Sequence, residues 1–434
     1  MEIPEVGSEI HKWASDLYPL CRSISGDGVR KTLAYLKNVF PELHVYEIPS
    51  GSTFFDWELP NEWNIQEAWI ESEDGQRIVD FDNHNLHVVG YSEPVDTWLT
   101  LDQLQEKLYS REDLPDAIPY IASVYQRDWG FCISDKVRKN LQSGLYHCVI
   151  KSTLHKGALT FAEALLPGSD PREIVISTYA DHPSMANNEL SGPVVAAAIG
   201  RWLSSVDRKY TYRILIAPET IGAIVNLSKY GEIFKERMLA GFVMTCIGDD
   251  RGSTVVHSPY ENTLADRVAN HVLKHTPGKT SHFSFMNRGS DERQYCGPGM
   301  RLPMVTLCRT KFGEFPEYHT SLDNLKDVVT PNGLQGGFTL VCRCIEAIEV
   351  NGFWRAILPC EPQMGKRGLY PNTMSHEIPI DTENLMNLLT YLDGTQDLLN
   401  VADRIGQPIS YCYEMLKILK QHNLVEMCSI NETC

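Results

Sequence analysis

Apolar residues recur at close to every 3.6 positions between residues 8 and 40. Ile10, Trp13, Ala14 and Leu17 form one such series, and Leu33, Tyr35, Leu36 and Phe40 a second. This spacing puts each series on one face of a helix. The string from Cys21 to Gly28 breaks the period with Ser, Gly and Asp, which predicts a loop between two helices.

From about 50 to 160 the pattern changes. Aromatic and β-branched residues alternate with polar ones around Trp57, Trp63, Ile65, Trp69, Ile78, Phe81 and Val88. Asp74-Gly75 is a hairpin signal. One helical piece is expected at 101–109, and further short strands around Ile118, Phe131 and Val149. We read 51–159 as a β-rich module inserted into a domain made of 1–50 and 160–360. The early helices can then pack on the core that follows the module. An independent N-terminal domain is the alternative.

After residue 172 short apolar strands alternate with amphipathic helices. Strands are expected at 174–178, 212–217, 241–245 and 303–307, and helices at 189–204, 221–230, 261–275 and 331–350. Continuous apolar strands separated by helices predict a largely parallel α/β sheet covered on both faces. Three short amphipathic helices at 384–392, 398–405 and 409–421 follow, with Gly394 and Gly406-Gln407-Pro408 between them. A strand is expected near Val425. That order predicts a winged helix-turn-helix domain at 370–434.

Composition narrows the function. The chain has 434 residues, enough for two or three domains. Its hydrophobic content of 43% and charged content of 22% are those of a soluble globular protein. A net charge of −17 argues against a nucleic-acid footprint. The last helices mix Arg404, Lys417 and Lys420 with Asp397, Asp403 and Glu414. This suits packing or dimerisation better than DNA binding, and a homo-oligomer is compatible with it. No export signal and no apolar run of about 18 residues is visible, so no membrane partner and a cytoplasmic location are expected. The 12 Cys lack C-x-x-C spacing and are expected as buried, reduced thiols.

Four polar islands fall at strand ends. The first holds Asp181, His182, Asn187, Asn188 and Glu189. The second is Pro218-Glu219-Thr220, and the third contains Asp249, Asp250 and Arg251. The fourth pairs 288–296 with 317–324. Any one carboxylate among them could simply cap the next helix. Together, two His and several carboxylates at one end of a sheet point to a metal site. His and carboxylate ligands without Cys suit a catalytic Zn²⁺ with an open position, and a further carboxylate suits a general base.

The islands resemble those of zinc aminopeptidases with the phosphorylase/hydrolase-type α/β sandwich. The whole chain more closely resembles a bacterial aminopeptidase-like family formerly catalogued as a domain of unknown function. The strings that carry the resemblance are Asp56-Trp57, Glu62-Trp63-Asn64-Ile65, Asn85 to Ser92, Trp129-Gly130-Phe131-Cys132, His182 to Gly192, Pro218 to Gly222, Gly289 to Cys296 and Tyr318 to Asp323. The resemblance implies a three-layer α/β sandwich, an inserted β-domain and a C-terminal winged helix.

Residue by residue, the resemblance implies a reduced site. The His-x-Asp motif of the aminopeptidases stands here as Tyr179-Ala180-Asp181, so His182 is the available ligand. The close family usually has Cys where Asp181 stands. The metal-bridging Asp is replaced by Asn188, with Glu189 next to it. Of the Glu-Glu motif, Glu219 is kept as the general base and the ligand position is Thr220. Asp249 matches the later Asp ligand and His319 the last His ligand, with Asp323 to orient it. His182, His319, Glu189 and Asp249 are thus the candidate ligands of one Zn²⁺. Arg293 and Tyr318 are candidates to polarise a carbonyl. Asp291 and Glu292 could hold a substrate ammonium, and Asp181 and Asn188 are further candidates to support the metal or bind substrate. Trp129 and Asp56-Trp57 could form a pocket wall, or the core of the module.

The expected activity is a mononuclear zinc-dependent, aminopeptidase-like hydrolase of an amide or peptide bond in a small substrate. Acyl transfer or amide formation in a biosynthetic pathway on the same fold is the alternative. A non-catalytic regulatory or binding protein is the third reading.

Overall fold

The computed structural model describes residues 2–369 and 382–428. The chain forms two compact units. One comprises Glu2–Asp266 and Gly278–Thr339, and the other Arg267–Pro277 and Leu340–Cys434.

The first unit is built on an eight-stranded sheet. Its spatial order is His44–Pro49, Ala158–Leu166, Tyr210–Ala217, Asp170–Tyr179, Met238–Met244, Met304–Cys308, Ser253–Val256 and Thr280–Phe283. The middle four strands are mutually parallel, while both sides of the sheet include antiparallel pairs. The sheet is therefore mixed rather than largely parallel. All eight residues of Tyr210–Ala217 are buried, as expected of a strand covered on both faces. Helices Gly7–Leu17, Asp27–Val39 and Ser191–Ser204 present apolar faces that include Ile10, Leu33 and Val195.

One charge lies inside this core. Arg213 forks between Glu163 and Glu173 on the neighbouring strands, at 2.8 and 2.9 Å from the two Glu173 oxygens. Both carboxylates sit one pleat away on the same face, and the rings of Tyr230 and Phe234 cover the guanidinium. A buried charge is tolerable only when paired in this way.

The β-rich module leaves the sheet after its edge strand and returns at Ala158. It contains a four-stranded antiparallel sheet ordered Arg77–Asp80, Glu62–Ser72, Leu145–His155, Val95–Thr100. Gly75, at φ +85°, makes the hairpin turn. Trp63, Ile70, Phe131 and Tyr146 form its core. The helix expected at 101–109 stops at Gln105, because Leu108–Tyr109 pairs with Phe131–Cys132 instead.

In the second unit a three-stranded sheet is ordered Asp393–Asp397, Phe353–Ala356, Val425–Met427. It accompanies helices Thr382–Tyr391, Leu398–Ile405 and Ile409–Gln421. Asp397 caps the middle helix by accepting from the Asn400 N–H at 3.0 Å. Gly406, at φ +71°, ends that helix. The sheet draws in 353–356, which the sequence boundary at 370 leaves out. Residues 370–381 and 429–434 of the expected module lie outside the described residues. The eleven Cys described are all free thiols. No described helix is long and apolar enough to cross a membrane.

Candidate active site

Strand Asp170–Tyr179 ends in a loop that reaches helix Ser191–Ser204 through a π-turn, Ala186–Leu190. Such turns leave backbone donors without intrahelical partners. Asp323 supplies the partners: it accepts from the N–H groups of Asn187 at 2.7 Å and Asn188 at 2.9 Å. Asn187 ties the same turn to the end of the next strand, donating to Asp249 at 2.9 Å and accepting from the Gly248 N–H at 2.8 Å. The loop is fixed from both sides, and Glu189 is buried on its inner face.

His182 is the centre of the site. Its Nδ1 lies 2.9 Å from Glu189 Oε2 and 3.6 Å from Asp181 Oδ1, and its Nε2 lies 3.8 Å from Glu219 Oε2. Arg22, from the loop between the first two helices, lies fully buried beneath it. Arg22 donates to the carbonyls of His182 at 3.0 Å and Leu17 at 2.8 Å, with Nε 3.8 Å from Glu189 Oε1. Glu189 Oε1 and Arg22 Nη2 are buried without a hydrogen-bond partner among the described residues.

Glu219 follows strand Tyr210–Ala217 in a strained turn. Thr220 has φ +63° and ψ −69°, and the Ile221 N–H bonds back to the Glu219 carbonyl at 2.7 Å. This is a γ-turn of the rare hand, which a β-branched residue adopts only under constraint. Two carboxylates provide the constraint. Asp181 accepts from the Glu219 N–H and Asp291 from the Thr220 N–H, both at 2.7 Å. Ser290 then donates to Glu219 Oε1 at 3.2 Å, and Arg293 to the Thr220 hydroxyl at 2.7 Å.

His319 closes the site from the other side. It sits at φ +57°, with Tyr318 stacked on its ring at 3.9 Å and the ring centre of His182 5.6 Å away. The inserted module reaches in here. Tyr120 donates its N–H to the His319 carbonyl at 2.9 Å, and Ile118 exchanges hydrogen bonds with Ser321. The half-buried ring of Tyr120 lies 4.9 Å from that of His182 and 5.4 Å from that of His319.

Several residues read as site residues from sequence have other work. Asp249 lies outside the group formed by Asp181, His182 and Glu189, whose ligand atoms are all within 4.8 Å of one another. Its two oxygens accept from Asn187, Arg251 and both the N–H and hydroxyl of Thr310. Glu292 is fully buried and accepts from Gly289, Ser290 and Thr306, so it shapes the loop before Asp291 rather than facing a ligand. Asp323 holds the π-turn and makes no hydrogen bond to His319. Trp129 packs on the module's core, with Phe131 at its edge and Lys107 over its face. Asn188 is buried, with its Oδ1 accepting from Tyr179 at 3.3 Å and its Nδ2 unpartnered. Arg22, Tyr120 and Ser290 were not singled out from sequence. Only the Arg and Ser types in loop strings hinted at two of them.

The site is rich in negative charge. Burial pushes Glu189 up to about 7, against the pull of His182. Burial likewise raises Glu219 and, helped by the charge of Glu219, lifts Asp291 far above the carboxylate range. Burial works against a charge on His182, but Tyr120, Asp181 and Glu189 outweigh it and raise its proton affinity, so a cation bound there would displace a proton. His319 is pushed down to about 3 by burial and by His182, so its ring is neutral and free to act as a ligand. Crowded carboxyls, a neutral imidazole and an orphaned carboxylate oxygen form a donor set that fits one divalent cation. His182, Glu189 and Asp181 would hold it, with His319 facing them.

A family model described as domain of unknown function (DUF4910) matches residues 11–351, and a winged helix-turn-helix model matches residues 353–427. A Clostridium acetobutylicum protein named for polysaccharide biosynthesis and an aminopeptidase-like domain is 38% identical over 404 residues, which is 93% of this chain and 92% of that one. A crystal structure from the same organism, described as a peptidase, is 35% identical with a TM-score of 0.92, covering 98% of this chain and 97% of that one. A zinc aminopeptidase from Bacillus subtilis is 13% identical with a TM-score of 0.57, covering 80% of this chain and 96% of that one. At that identity the likeness is one of fold.

Proposed function

The chain belongs to the family of the domain of unknown function DUF4910, with an aminopeptidase-like α/β fold and a winged helix-turn-helix, and from this we propose that it is a metal-dependent hydrolase of an amide bond in a small substrate. The observation that carries the reading is the placing of Glu219 Oε2 3.8 Å from His182 Nε2, at the mouth of a cluster suited to one divalent ion.

Zinc bound there would polarise the scissile carbonyl and acidify a water molecule. The rest is done by the protein's own groups. Glu219 takes the water proton and returns it to the leaving amine, so that amide and water give acid and amine. Burial raises the proton affinity of Glu219, which suits a base that must also act as an acid. The γ-turn, with Asp181 and Asp291 bonded to its two N–H groups, fixes where that carboxylate stands. Tyr318 and Arg293 would donate to the carbonyl oxygen as charge develops. Metal analysis and amide hydrolysis by Glu219→Gln test the reading. Protein that holds no stoichiometric metal, or full activity in that variant, overturns it.

A second reading keeps the site and replaces water with an amine, giving acyl transfer. The relative named for polysaccharide biosynthesis favours it, since a biosynthetic step more often forms a bond than breaks one. Product analysis with amine acceptors in water separates the two. Transfer products in excess of hydrolysis decide for the second.

A further inference from the structure

Beside the Glu219 turn the charge changes sign. Arg288, Arg293 and Arg301 line one open cavity of about 410 Å³, together with Tyr260 and Phe285. In a chain of net charge −17, three guanidinium groups around one cavity run against the overall balance. Their polar contacts within the described residues go to neutral groups. Arg288 donates to the Phe285 carbonyl at 3.3 Å, Arg293 to the Thr220 hydroxyl at 2.7 Å and Arg301 to the Tyr260 hydroxyl at 3.2 Å. Each guanidinium carries five N–H groups, so most of the donors face solvent or a ligand.

The arginines are also held in place. Arg288 lies over the Phe285 ring at 5.0 Å and Arg301 over the Tyr260 ring at 5.5 Å. Aromatic faces of this kind hold a guanidinium plane while leaving its edge free. Arg301 has φ +55°, a left-handed backbone that a long side chain takes only when its surroundings impose it. Strain of this sort gathers where a side chain must be aimed.

We propose that this cavity binds a phosphate-bearing ligand, gripped by Arg288 and Arg301, with Arg293 between it and the Glu219 turn. Three guanidinium groups over-neutralise a single carboxylate, whereas a phosphate or diphosphate offers matching charge and enough acceptor oxygens. Arg293 donates to Thr220, next to Glu219, so a ligand bound here would lie beside the turn that carries the proposed base. Treating the phosphate as part of the substrate rests on the hydrolase reading. The substrate is then an amide that also carries a phosphate or diphosphate group.

The test is calorimetric titration of the full-length protein with pyrophosphate, in buffer containing a chelator. The chelator removes any contribution from a metal at His182. Binding is expected, and it weakens as salt rises. Arg288→Gln and Arg301→Gln are each expected to weaken it about tenfold, the loss of one charge-assisted contact. Both side chains are exposed, and unchanged circular dichroism and thermal midpoint confirm intact folding. Equal affinity in wild type and the double variant overturns the proposal. So does binding that the chelator abolishes, or glutarate binding as tightly as pyrophosphate. The titration needs no turnover, so an inactive enzyme leaves this assignment standing, and failed binding leaves the hydrolase reading standing.

Discussion

The Ile221 N–H reaches the Glu219 carbonyl at 2.7 Å across a single residue, Thr220, which is forced to φ +63°. This strain is local and can be removed. Thr220→Gly takes away the β-branched clash at a positive φ and is expected to raise stability by up to about 1 kcal/mol in urea denaturation. It also removes the hydroxyl that Arg293 holds, so activity is expected to fall while stability rises. Thr220→Val, which keeps the strain and loses the hydroxyl, should lower activity without the gain in stability.

Glu219→Gln is expected to reduce kcat for amide hydrolysis by about 10²- to 10⁴-fold with little change in KM, the loss typical of a missing proton-transfer group. Metal content should not change, because the proposed ligand cluster is the neighbouring Asp181, His182 and Glu189. Paired kinetics and metal analysis of one preparation check both statements.

His182→Ala and Glu189→Gln are expected to lower bound zinc from one ion per chain to well below it. A chelator is expected to lower the thermal midpoint of the wild type, since a ligand that binds only the folded state stabilises it. Asp249→Asn should destabilise the fold through its bonds to Thr310 and Arg251 yet still bind the ion. Zinc loss in Asp249→Asn equal to that in His182→Ala would restore Asp249 as a ligand.

Arg30 donates to both oxygens of Glu62, at 2.7 and 2.5 Å, and so ties the second helix to the inserted module. The Arg30 bonds hold the Glu62 carboxyl down to about 2, from an ordinary value of 4.5. A depressed acid favours folding above its unfolded value and loses that contribution as pH falls through its folded value. The pair therefore stabilises above about pH 4.5, and the gain disappears between there and about pH 2. Glu62→Gln is expected to flatten this part of the acid limb in a series of thermal melts, with a difference on the order of 1 kcal/mol at neutral pH because Arg30 is partly exposed.

What could be read from sequence followed from period and position. Apolar strands with His182, Glu189 and Glu219 just beyond their ends mark the candidate site, because parallel sheets expose that end to ligands. The antiparallel strands at the sides were harder. Ser253–Val256 and Thr280–Phe283 are four residues each, too short for a pattern to register. Asp249 and Glu292 looked like functional carboxylates because sequence shows charge but not which hydrogen bonds already occupy it. Arg22 and Tyr120 were missed for the opposite reason. Each enters the site from a distant segment, and nothing local marks the segment as facing His182.

The stitching of Ile118 to Ser321 bridges 203 positions of chain, and Arg22 meets the His182 carbonyl across 160. Synthesis on the ribosome therefore delivers these partners far apart in time. The inserted module can pack its own core as soon as its closing strand emerges, but Tyr120 then waits with its ring and backbone donor uncovered. The segment that satisfies it is made about 200 positions later, after the four central strands have emerged. Until then the polar cluster at His182 stays open to water on one side. Closure of the site cannot precede the arrival of that loop, whatever the state of the sheet.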